Sequence, residues 1–343
     1  MKTMTIKDIA KMAGIGVSTV SRAMNDHSDV SAKTKEKVLK IIEENQYIPN
    51  NSARNLKRTD INAVGILVKA IDNPFFSKMI RVYEQEIHKE RYDFFLEHVD
   101  EAQDEIMVAV QLAKEKRLKG IIFLGGHFNR SKKELNQVPV PYVLSTLGMD
   151  ESLLEGILAS SISVNDQVES KKMVEYLYSL GHRDIAFLSG TEKNESIGEL
   201  RQKGYEEALL SHDIPINEEY IVPMSESYPP FSMECGYHMM KELMGRNTKV
   251  TAVFAISDIV AIGAMKAIFE AGKRVPEDYA VAGFDGLENS YYYEPSITTI
   301  EQPLERMAKE SIRMLFTMIR TKKEVKNQVL DGELLKRAST EKF

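Results

Sequence analysis

The sequence predicts an α/β protein with two similar lobes, preceded by a small N-terminal domain of helices. Two observations predict this class. From Ile61 onward, short and almost continuously apolar runs alternate with helical segments, as in parallel sheets that helices cover on both faces. Before Ile61, two short helical patterns separated by a glycine-containing turn are followed by a third, longer one. The length of 343 residues suits two or three domains rather than one.

The first two helical patterns have the spacing of a helix-turn-helix. Residues 5–13 and 17–25 are both short and amphipathic, and two glycines lie between them. Thr5 and Asp8 are spaced as a capping pair for the first helix, and Ser31 is placed to cap the third. The second helix is small and polar enough to lie in a major groove of DNA.

The apolar residues of the three helices define the predicted core of this domain. They are Ile6, Ile9, Ala10, Ala13, Val20, Ala23, Met24, Val38, Ile41 and Ile42, with Leu39 as a further candidate. The second helix then exposes Val17, Ser18, Thr19, Ser21 and Arg22. Hydroxyl side chains at a helix start suit phosphate contacts, and arginine suits the O6/N7 edge of guanine. The alternative is an ordinary polar surface on a three-helix bundle.

Charge is unevenly distributed along the chain. Residues 1–59 contain eleven lysines and arginines against six acidic residues, whereas the whole chain has a net charge of −6. The remainder of the chain is therefore strongly acidic. A basic domain joined to an acidic one suits a polyanionic partner for the basic domain alone.

Composition excludes several classes of protein. No apolar run approaches the roughly 18 residues that span a bilayer, and the N-terminus lacks the apolar core of a signal peptide. Cys235 is the only cysteine, so no internal disulfide can form. We therefore expect a cytoplasmic protein with no membrane partner.

Residues 47–57 form a short, weakly helical stretch that has no apolar core of its own. Helices this short are unstable in water, so the stretch would order only on DNA and against a second copy. Leu56 would then act as an apolar wedge between base steps of the minor groove. The alternative is a linker that contains one stray leucine.

The apolar runs after Ile61 fall into two sets of four. They are residues 63–68, 92–96, 120–124 and 142–144 in the first set, and 184–188, 220–222, 252–255 and 279–282 in the second. Each set predicts one parallel sheet covered by helices, and hence one lobe. Ligands of such sheets bind at the carboxyl ends of the strands.

Several spaced motifs resemble the lactose-repressor (LacI/GalR) family of bacterial transcriptional regulators. They are Thr5-Ile6-Lys7-Asp8-Ile9-Ala10, Val20-Ser21-Arg22 with Asn25, Tyr47-Ile48-Pro49-Asn50 with Ala53 and Leu56, Ser257-Asp258-Ile259-Val260-Ala261-Ile262-Gly263-Ala264-Met265, and Gly283-Phe284-Asp285. The resemblance covers essentially the whole chain. It implies a repressor that binds a palindromic operator in double-stranded DNA as a homodimer. It also implies control by a small-molecule effector, a sugar or sugar derivative.

The resemblance also assigns the DNA-binding residues. It places Val17, Ser18 and Arg22 at base-reading positions and Leu56 as the paired minor-groove wedge. The full set that it implies is Thr5, Val17, Ser18, Thr19, Ser21, Arg22, Asn25, Asn50, Ala53 and Leu56. Gly16 stands where the family usually has a serine that contacts phosphate, so the prediction does not include that contact.

The domain organisation follows from the same resemblance. It implies a helix-turn-helix domain, a hinge helix, and a core of two lobes that resembles periplasmic binding proteins. The corresponding ranges are 1–46 for the DNA-binding domain, 47–60 for the hinge, 61–162 with 295–323 for the first lobe, and 163–292 with 324–343 for the second. Crossings between the lobes are expected near Ser163, Tyr293 and Lys323, where they would form the hinge of a closing cleft.

The predicted effector residues converge on the ends of strands. They are Asp72, Phe75, Arg201, Phe231, Ser257, Asp258 and Asp285. Arg201 is a forked donor for two hydroxyls or a carboxylate, Asp285 accepts hydroxyl hydrogen bonds, and Phe231 offers a flat face to a sugar or planar ring. Two carboxylates in a cleft favour a neutral polyol or sugar, although Lys69 leaves a sugar phosphate open.

Some of these residues have simpler explanations. Asp258 could serve only at the start of its helix, one of Phe75 and Phe76 is expected in the core, and Arg201 could pair with a surface carboxylate. Ser257 also stands where the family usually has asparagine, and it reaches less far. The pocket therefore differs from the commonest sugar sites of the family.

Two other classes of function compete with a regulator. A solute-binding module for transport would share the two lobes but would need an export signal and no DNA-binding domain. An enzyme would need a phosphate-binding glycine loop, a metal cluster or a paired nucleophile, and the sequence offers none of these patterns. We therefore expect no enzyme activity, no cofactor and no metal. The sequence leaves open whether a protein co-regulator also binds.

Overall fold

A computed structural model describes residues 5–24, 27, 29–45, 62–71, 73–100, 103–126, 130–190, 197–225 and 227–341. The chain divides into two compact units, Met1–Ile61 and Asn62–Phe343. We call them the N-terminal unit and the C-terminal unit. The predicted hinge, residues 47–60, lies outside the described residues.

The described residues of the N-terminal unit form three helices, α1 (Ile6–Ala13), α2 (Val17–Met24) and α3 (Ala32–Glu44). At the start of α1, the Asp8 carboxylate accepts hydrogen bonds from the Thr5 backbone N–H at 2.9 Å and from its hydroxyl at 2.7 Å. This confirms the predicted pairing. Gly14 ends α1 in the left-handed conformation with φ of 67°, which glycine adopts without steric cost. Together these caps set the short helix-turn-helix.

The core of the N-terminal unit forms where the helical spacing predicts it. Its buried residues are Ile9, Ala10, Ala13, Val20, Ala23 and Val38, and Ile6, Met24, Ile41 and Ile42 pack against them. The prediction for Leu39 is wrong, because this side chain is 52% exposed. The Lys37 ammonium donates to the Ala13 carbonyl at 2.9 Å and so ties α3 to the end of α1.

The C-terminal unit contains twelve strands among its described residues. They are β1 (Ala63–Val68), β2 (Asp93–His98), β3 (Gly120–Leu124), β4 (Tyr142–Ser145), β5 (Ala159–Val164), β6 (Ile185–Leu188), β7 (Ile221–Val222), β8 (Ala252–Ala255), β9 (Ala280–Asp285), β10 (Thr298–Glu301), β11 (Gln328–Leu330) and β12 (Glu333–Leu335). All eight strands that the apolar runs predict are among them.

The helices of this unit lie between the strands along the chain. They are α4 (Pro74–Lys89), α5 (Glu105–Lys116), α6 (Lys132–Leu135), α7 (Glu151–Leu154), α8 (Asp166–Ser179), α9 (Ile197–Ser211), α10 (Met233–Gly245), α11 (Asp258–Glu270), α12 (Glu288–Tyr292) and α13 (Leu304–Thr321). A 3₁₀ turn, Glu218–Tyr220, precedes β7.

The strands form two six-stranded sheets, one for each lobe. The first has the order β11-β5-β4-β3-β1-β2, and all its pairs are parallel. The second has the order β12-β10-β9-β8-β6-β7 and is parallel except for β12, which pairs antiparallel with β10. This confirms the predicted fold of two doubly wound, mostly parallel sheets.

Two of the predicted lobe boundaries differ from the structure. The strand β10 pairs with β9 in the second sheet, although residues 295–323 were predicted for the first lobe. The strand β11 pairs with β5 in the first sheet, although residues 324–343 were predicted for the second. The chain therefore crosses between sheets after β5, between β10 and α13, and between β11 and β12. Strands this short carry no local signal for the sheet they join.

Helices α10 and α11 pack closely because a glycine of each helix faces the backbone of the other helix. A methyl group on Gly263 would lie 1.9 Å from the Met233 carbonyl oxygen, and one on Gly236 would lie 2.2 Å from that of Val260. Only glycine allows this approach. The contact fixes the starts of both helices, which flank the site described next.

Candidate functional site

A cavity of about 80 Å³ lies between the two sheets of the C-terminal unit. Residues that follow or end strands form most of its wall: Lys69 and Ala70 after β1, Gly125 and Gly126 after β3, Thr146 after β4, Gly190 two residues after β6, Asp285 at the end of β9, and Gln302 after β10. The carboxyl ends of both sheets therefore meet at one cavity, as expected for ligand sites in this kind of fold. It has room for several water molecules or a small ligand.

Arg201, on α9, is held rigidly in the wall of this cavity. Its side chain is almost fully buried, and its Nε donates to Asp166 Oδ1 at 2.8 Å. Its Nη1 donates to the Ile256 carbonyl at 2.6 Å and lies 3.6 Å from Asp285 Oδ1. The guanidinium also stacks 3.5 Å above the centre of the Phe284 ring. These contacts fix the plane in which a ligand meets the guanidinium.

Asp285 ends β9 beside Arg201 and is itself buried. Its Oδ1 accepts a hydrogen bond from the Gln302 amide at 2.8 Å. Burial raises the pKa of Asp285 to about 6, although the Arg201 guanidinium and the Gln302 amide oppose this rise. Burial likewise raises the pKa of Asp166 despite its bond to Arg201. The Arg201 guanidinium is thus the shared counter-charge of two buried carboxylates, those of Asp166 and Asp285.

Three aromatic side chains contribute to the wall, Phe75 and Phe76 from the first lobe and Phe231 from the second. Phe75 lies in the first turn of α4. The Asn73 side chain caps this helix by accepting a hydrogen bond from the Phe75 N–H at 3.0 Å. Phe231 precedes α10 and is half-buried. Aromatic faces suit the C–H side of a sugar ring or a planar ligand. The structure therefore brings Phe75, Arg201, Phe231 and Asp285 together, as the sequence predicts.

Ser257 and Asp258 do not line the cavity, contrary to the prediction. Ser257 caps α11 by accepting the Val260 N–H at 3.4 Å. Asp258 is fully buried, and its Oδ2 accepts the Leu287 N–H at 2.7 Å. Burial and then the charge of Asp285 raise the pKa of Asp258 to about 7. Ser257 therefore caps α11, and Asp258 ties the start of α11 to the turn before α12. The alternative that Asp258 serves only at the start of its own helix does not describe this contact either. Asp72 lies outside the described residues.

Two further groups at the site, Gln302 and Thr146, were not predicted as effector contacts, and Lys69 was considered only as a contact for a sugar phosphate. Gln302 and Thr146 follow strands that end at the cavity. Lys69 forms a buried ion pair with Glu105 on α5, with 2.8 Å between Nζ and Oε1. A methyl group on Gly126 would lie 2.5 Å from Glu105 Oε1, so the loop after β3 packs directly on this carboxylate. The sequence gives only one indication that Glu105 is a functional residue, which is its position at the start of a helix.

The predicted DNA-binding face of the N-terminal unit is described only in part. Val17, Ser18 and Arg22 on α2 are exposed, whereas Thr19 and Ser21 are half-buried. Arg22 Nη1 contacts Asp29 Oδ2 at 2.8 Å, and both side chains are more than half exposed. A surface pair of this kind is weak and can exchange for a contact with DNA. The predicted residues Asn25, Asn50, Ala53 and Leu56 lie outside the described residues.

Within the described part of the chain, no helix is long and apolar enough to cross a membrane. Two family models match the chain. Residues 5–50 match the model described as bacterial regulatory proteins of the lacI family. Residues 174–340 match a periplasmic binding protein-like domain. The first match covers the helix-turn-helix, and the second covers much of the unit that contains the cavity.

Relatives match over nearly the whole length of the chain. The transcriptional regulator MalR of Clostridium butyricum is 38% identical over 338 residues, which cover 98% of this chain and 99% of the relative. The probable repressor ExuR of Bacillus subtilis is 32% identical, with 96% and 95% covered. These relatives are named as transcriptional regulators, in agreement with the prediction that the chain is not an enzyme.

Solved structures of transcriptional regulators are also similar to this chain. A complex of the transcriptional regulator CelR with cellobiose has a TM-score of 0.70 and 29% identity, with 98% of this chain and 99% of that chain covered. The lac repressor dimer bound to operator and an anti-inducer has a TM-score of 0.72 and 26% identity, with 99% of both chains covered. With its helix-turn-helix, its two-lobed binding-protein-like core and relatives of this similarity, the chain belongs to the lacI family of bacterial regulatory proteins.

Proposed function

We propose that this protein is a cytoplasmic transcription repressor that binds a palindromic operator as a homodimer. The effector that controls it is a sugar or sugar derivative bound in the cavity between the lobes. The exposed residues of α2 support the first part of the proposal. The operator complex of the lac repressor dimer and the cellobiose complex of CelR, both similar to this chain, support the assembly and the ligand class.

The arrangement of Arg201, Asp285 and Gln302 is the observation that carries the effector proposal. A fixed guanidinium, a carboxylate and an amide lie at one cavity wall, with Phe75 and Phe231 also in the lining. Vicinal hydroxyls both donate and accept hydrogen bonds, so one sugar ring can satisfy all three polar groups. Its C–H faces can pack on the rings.

The charges at the site favour a neutral ligand. Each cation in the wall already has buried carboxylate partners, Glu105 for Lys69, and Asp166 and Asp285 for Arg201. A phosphate group would have to displace these partners or add further negative charge to a buried site. Burying uncompensated charge is costly. We therefore rank a neutral sugar above the sugar phosphate that Lys69 alone would suggest.

The same site gives a route for control. A ligand that contacts Phe75 in the first lobe and Arg201 in the second binds the closed cleft better than an open one. It therefore shifts the population of lobe arrangements, as any ligand with unequal affinity for two states does. In this proposal Val17, Ser18 and Arg22 read the bases. The other residues that contact DNA are Thr5, Thr19, Ser21, Asn25, Asn50, Ala53 and Leu56.

The test combines operator selection with effector titration. The full-length protein is used to select DNA from a random pool, and the enriched site is footprinted. We expect two symmetric half-sites protected together. A panel of neutral sugars and sugar phosphates is then titrated against the operator complex, and at least one neutral sugar is expected to change the affinity at least tenfold.

The effector arm uses a matched pair of variants. Phe231→Ala removes a ring from the cavity wall, whereas Phe269→Ala removes an exposed ring of α11 that is absent from the cavity lining. We expect Phe231→Ala to raise the effector concentration needed for half of the response, and Phe269→Ala to leave it unchanged. Equal responses of both variants and the unmodified protein would contradict the proposed site.

A further inference from the structure

The side chain of Arg22 on α2 is held by an acidic residue that lies beyond the helix. Arg22 Nη1 donates to Asp29 Oδ2 at 2.8 Å, and both side chains are more than half exposed. The two residues are seven positions apart along the chain, so the helical spacing that pairs side chains three or four apart does not relate them. The pair therefore depends on the path that the chain takes after α2.

Backbone and core contacts fix that path. The His27 N–H donates to the carbonyl of Arg22, in the last turn of α2, at 3.0 Å, and the Val30 N–H donates to the His27 carbonyl at 3.3 Å. Val30 packs against the core of the N-terminal unit, and the next residue, Ser31, caps α3. Asp29 is therefore held between the last turn of α2 and the start of α3.

The contact uses only one corner of the Arg22 guanidinium. Nη1 bonds to Asp29, which is the only side-chain partner of Arg22 among the described residues. Because arginine has five N–H donors in a rigid planar fork, this contact leaves the edge formed by Nε and Nη2 for another acceptor. A two-donor edge of this kind pairs with O6 and N7 of guanine. Arg22 can thus contact guanine while it keeps its bond to Asp29.

A histidine beside the pair contributes to the same arrangement. His27 Nδ1 lies 3.8 Å from Oδ1, the second carboxylate oxygen of Asp29. The carboxylate is therefore flanked by Arg22 at one oxygen and by His27 at the other. A long side chain that is held before DNA arrives loses less conformational entropy when it contacts a base.

From these observations we propose that Asp29 is a positioning residue for base reading. It holds the Arg22 guanidinium by Nη1, so that the edge formed by Nε and Nη2 meets guanine. Its negative charge also repels phosphate groups, and an Arg22 side chain that stays on Asp29 makes fewer sequence-independent phosphate contacts. This inference rests on the proposed function, because it requires Arg22 to read a base pair.

The test measures base preference at single positions of the operator. The full-length protein binds the selected operator and its single-base variants, and fluorescence anisotropy gives each affinity. We expect Asp29→Ala to reduce the preference for guanine at the base pair that Arg22 reads by about two- to fivefold, the size of an exposed ion pair. Asp29→Asn keeps an acceptor oxygen and should lose less. In a variant that already has Arg22→Ala, Asp29→Ala should reduce the preference no further.

Glu36→Ala is the matched control, because Glu36 is an exposed acid on α3 of the same unit. Both substitutions remove one negative charge and so raise the affinity for every sequence alike. Preference is a ratio of two affinities, so a change in the fraction of folded protein cancels.

Three results would overturn the positioning role while leaving the proposed function intact. They are a preference that Asp29→Ala changes no more than Glu36→Ala does, a change at a base pair other than the one that Arg22→Ala affects, and a further loss in the combined variant. If Arg22→Ala itself leaves every preference unchanged, base reading by Arg22 fails, and the inference fails with it.

Discussion

Substitution of Arg201 by alanine tests the central electrostatic feature of the site. Arg201 Nε donates to Asp166 at 2.8 Å, and Nη1 lies 3.6 Å from Asp285. The variant leaves both carboxylates buried without this counter-charge. Removing one partner of a buried ion pair costs about 3–5 kcal/mol. Because a domain is stable by only about 5–15 kcal/mol, we expect a large fall in the free energy of unfolding.

The loss should depend on pH. The Arg201 guanidinium opposes the burial that raises the pKa of Asp166 and Asp285, so both pKa values rise further in its absence. An acid with a raised pKa in the folded state binds a proton on folding. Its destabilising effect is absent below the unfolded-state pKa, grows as the pH rises from that value to the folded-state pKa, and is complete above it. The variant should therefore be closer to the unmodified protein at pH 5 than at pH 8.

Urea unfolding at both pH values measures this effect. Asp166→Asn, combined with Arg201→Ala, removes one of the two buried carboxylates that lack a counter-charge in the single variant. The double variant should therefore regain part of the stability at pH 8. Arg313→Ala is the control, because Arg313 pairs with Glu310 on the exposed face of α13 and should cost under about 1 kcal/mol. A loss for Arg201→Ala no larger than the control, or one that is equal at both pH values, would refute the reasoning.

Two further predictions concern other parts of the chain. Arg22→Ala should cost about 1–3 kcal/mol of operator affinity and relax the preference at one base pair, as measured on single-base operator variants; a uniform loss across all of them would contradict base reading. Asp258→Asn removes a carboxyl whose pKa is about 7 in the folded protein against an ordinary value of 3.8. The folded state holds this proton between those values, so the unmodified protein loses stability as pH rises through this range. The stability gained by Asp258→Asn should therefore grow by about 2–3 kcal/mol from pH 5 to pH 8, and a constant difference in urea unfolding would contradict it.

Local chemistry predicted the N-terminal helices and eight of the twelve described strands, but not β5, β10, β11 or β12. The cap at Thr5, the turn at Gly14 and the buried stripe of the N-terminal helices follow from neighbours three or four residues apart. The eight apolar runs could be predicted as strands because each is flanked by helical segments and turn residues, and all eight are strands in the structure. The resemblance to the family predicted that Arg201 and Asp285 share one site, which residue patterns alone do not predict.

Only the tertiary structure decided which partners these elements have. Asp166 joins Arg201 from another helix, Glu105 neutralises Lys69, and Asp258 turns away from the cavity to bind the Leu287 N–H. The short strands β10 and β11 also joined sheets other than those predicted. The physical reason is the same in each case. Ion pairs and strand registers depend on contacts between residues far apart along the chain, and periodicity within a segment contains no information about them.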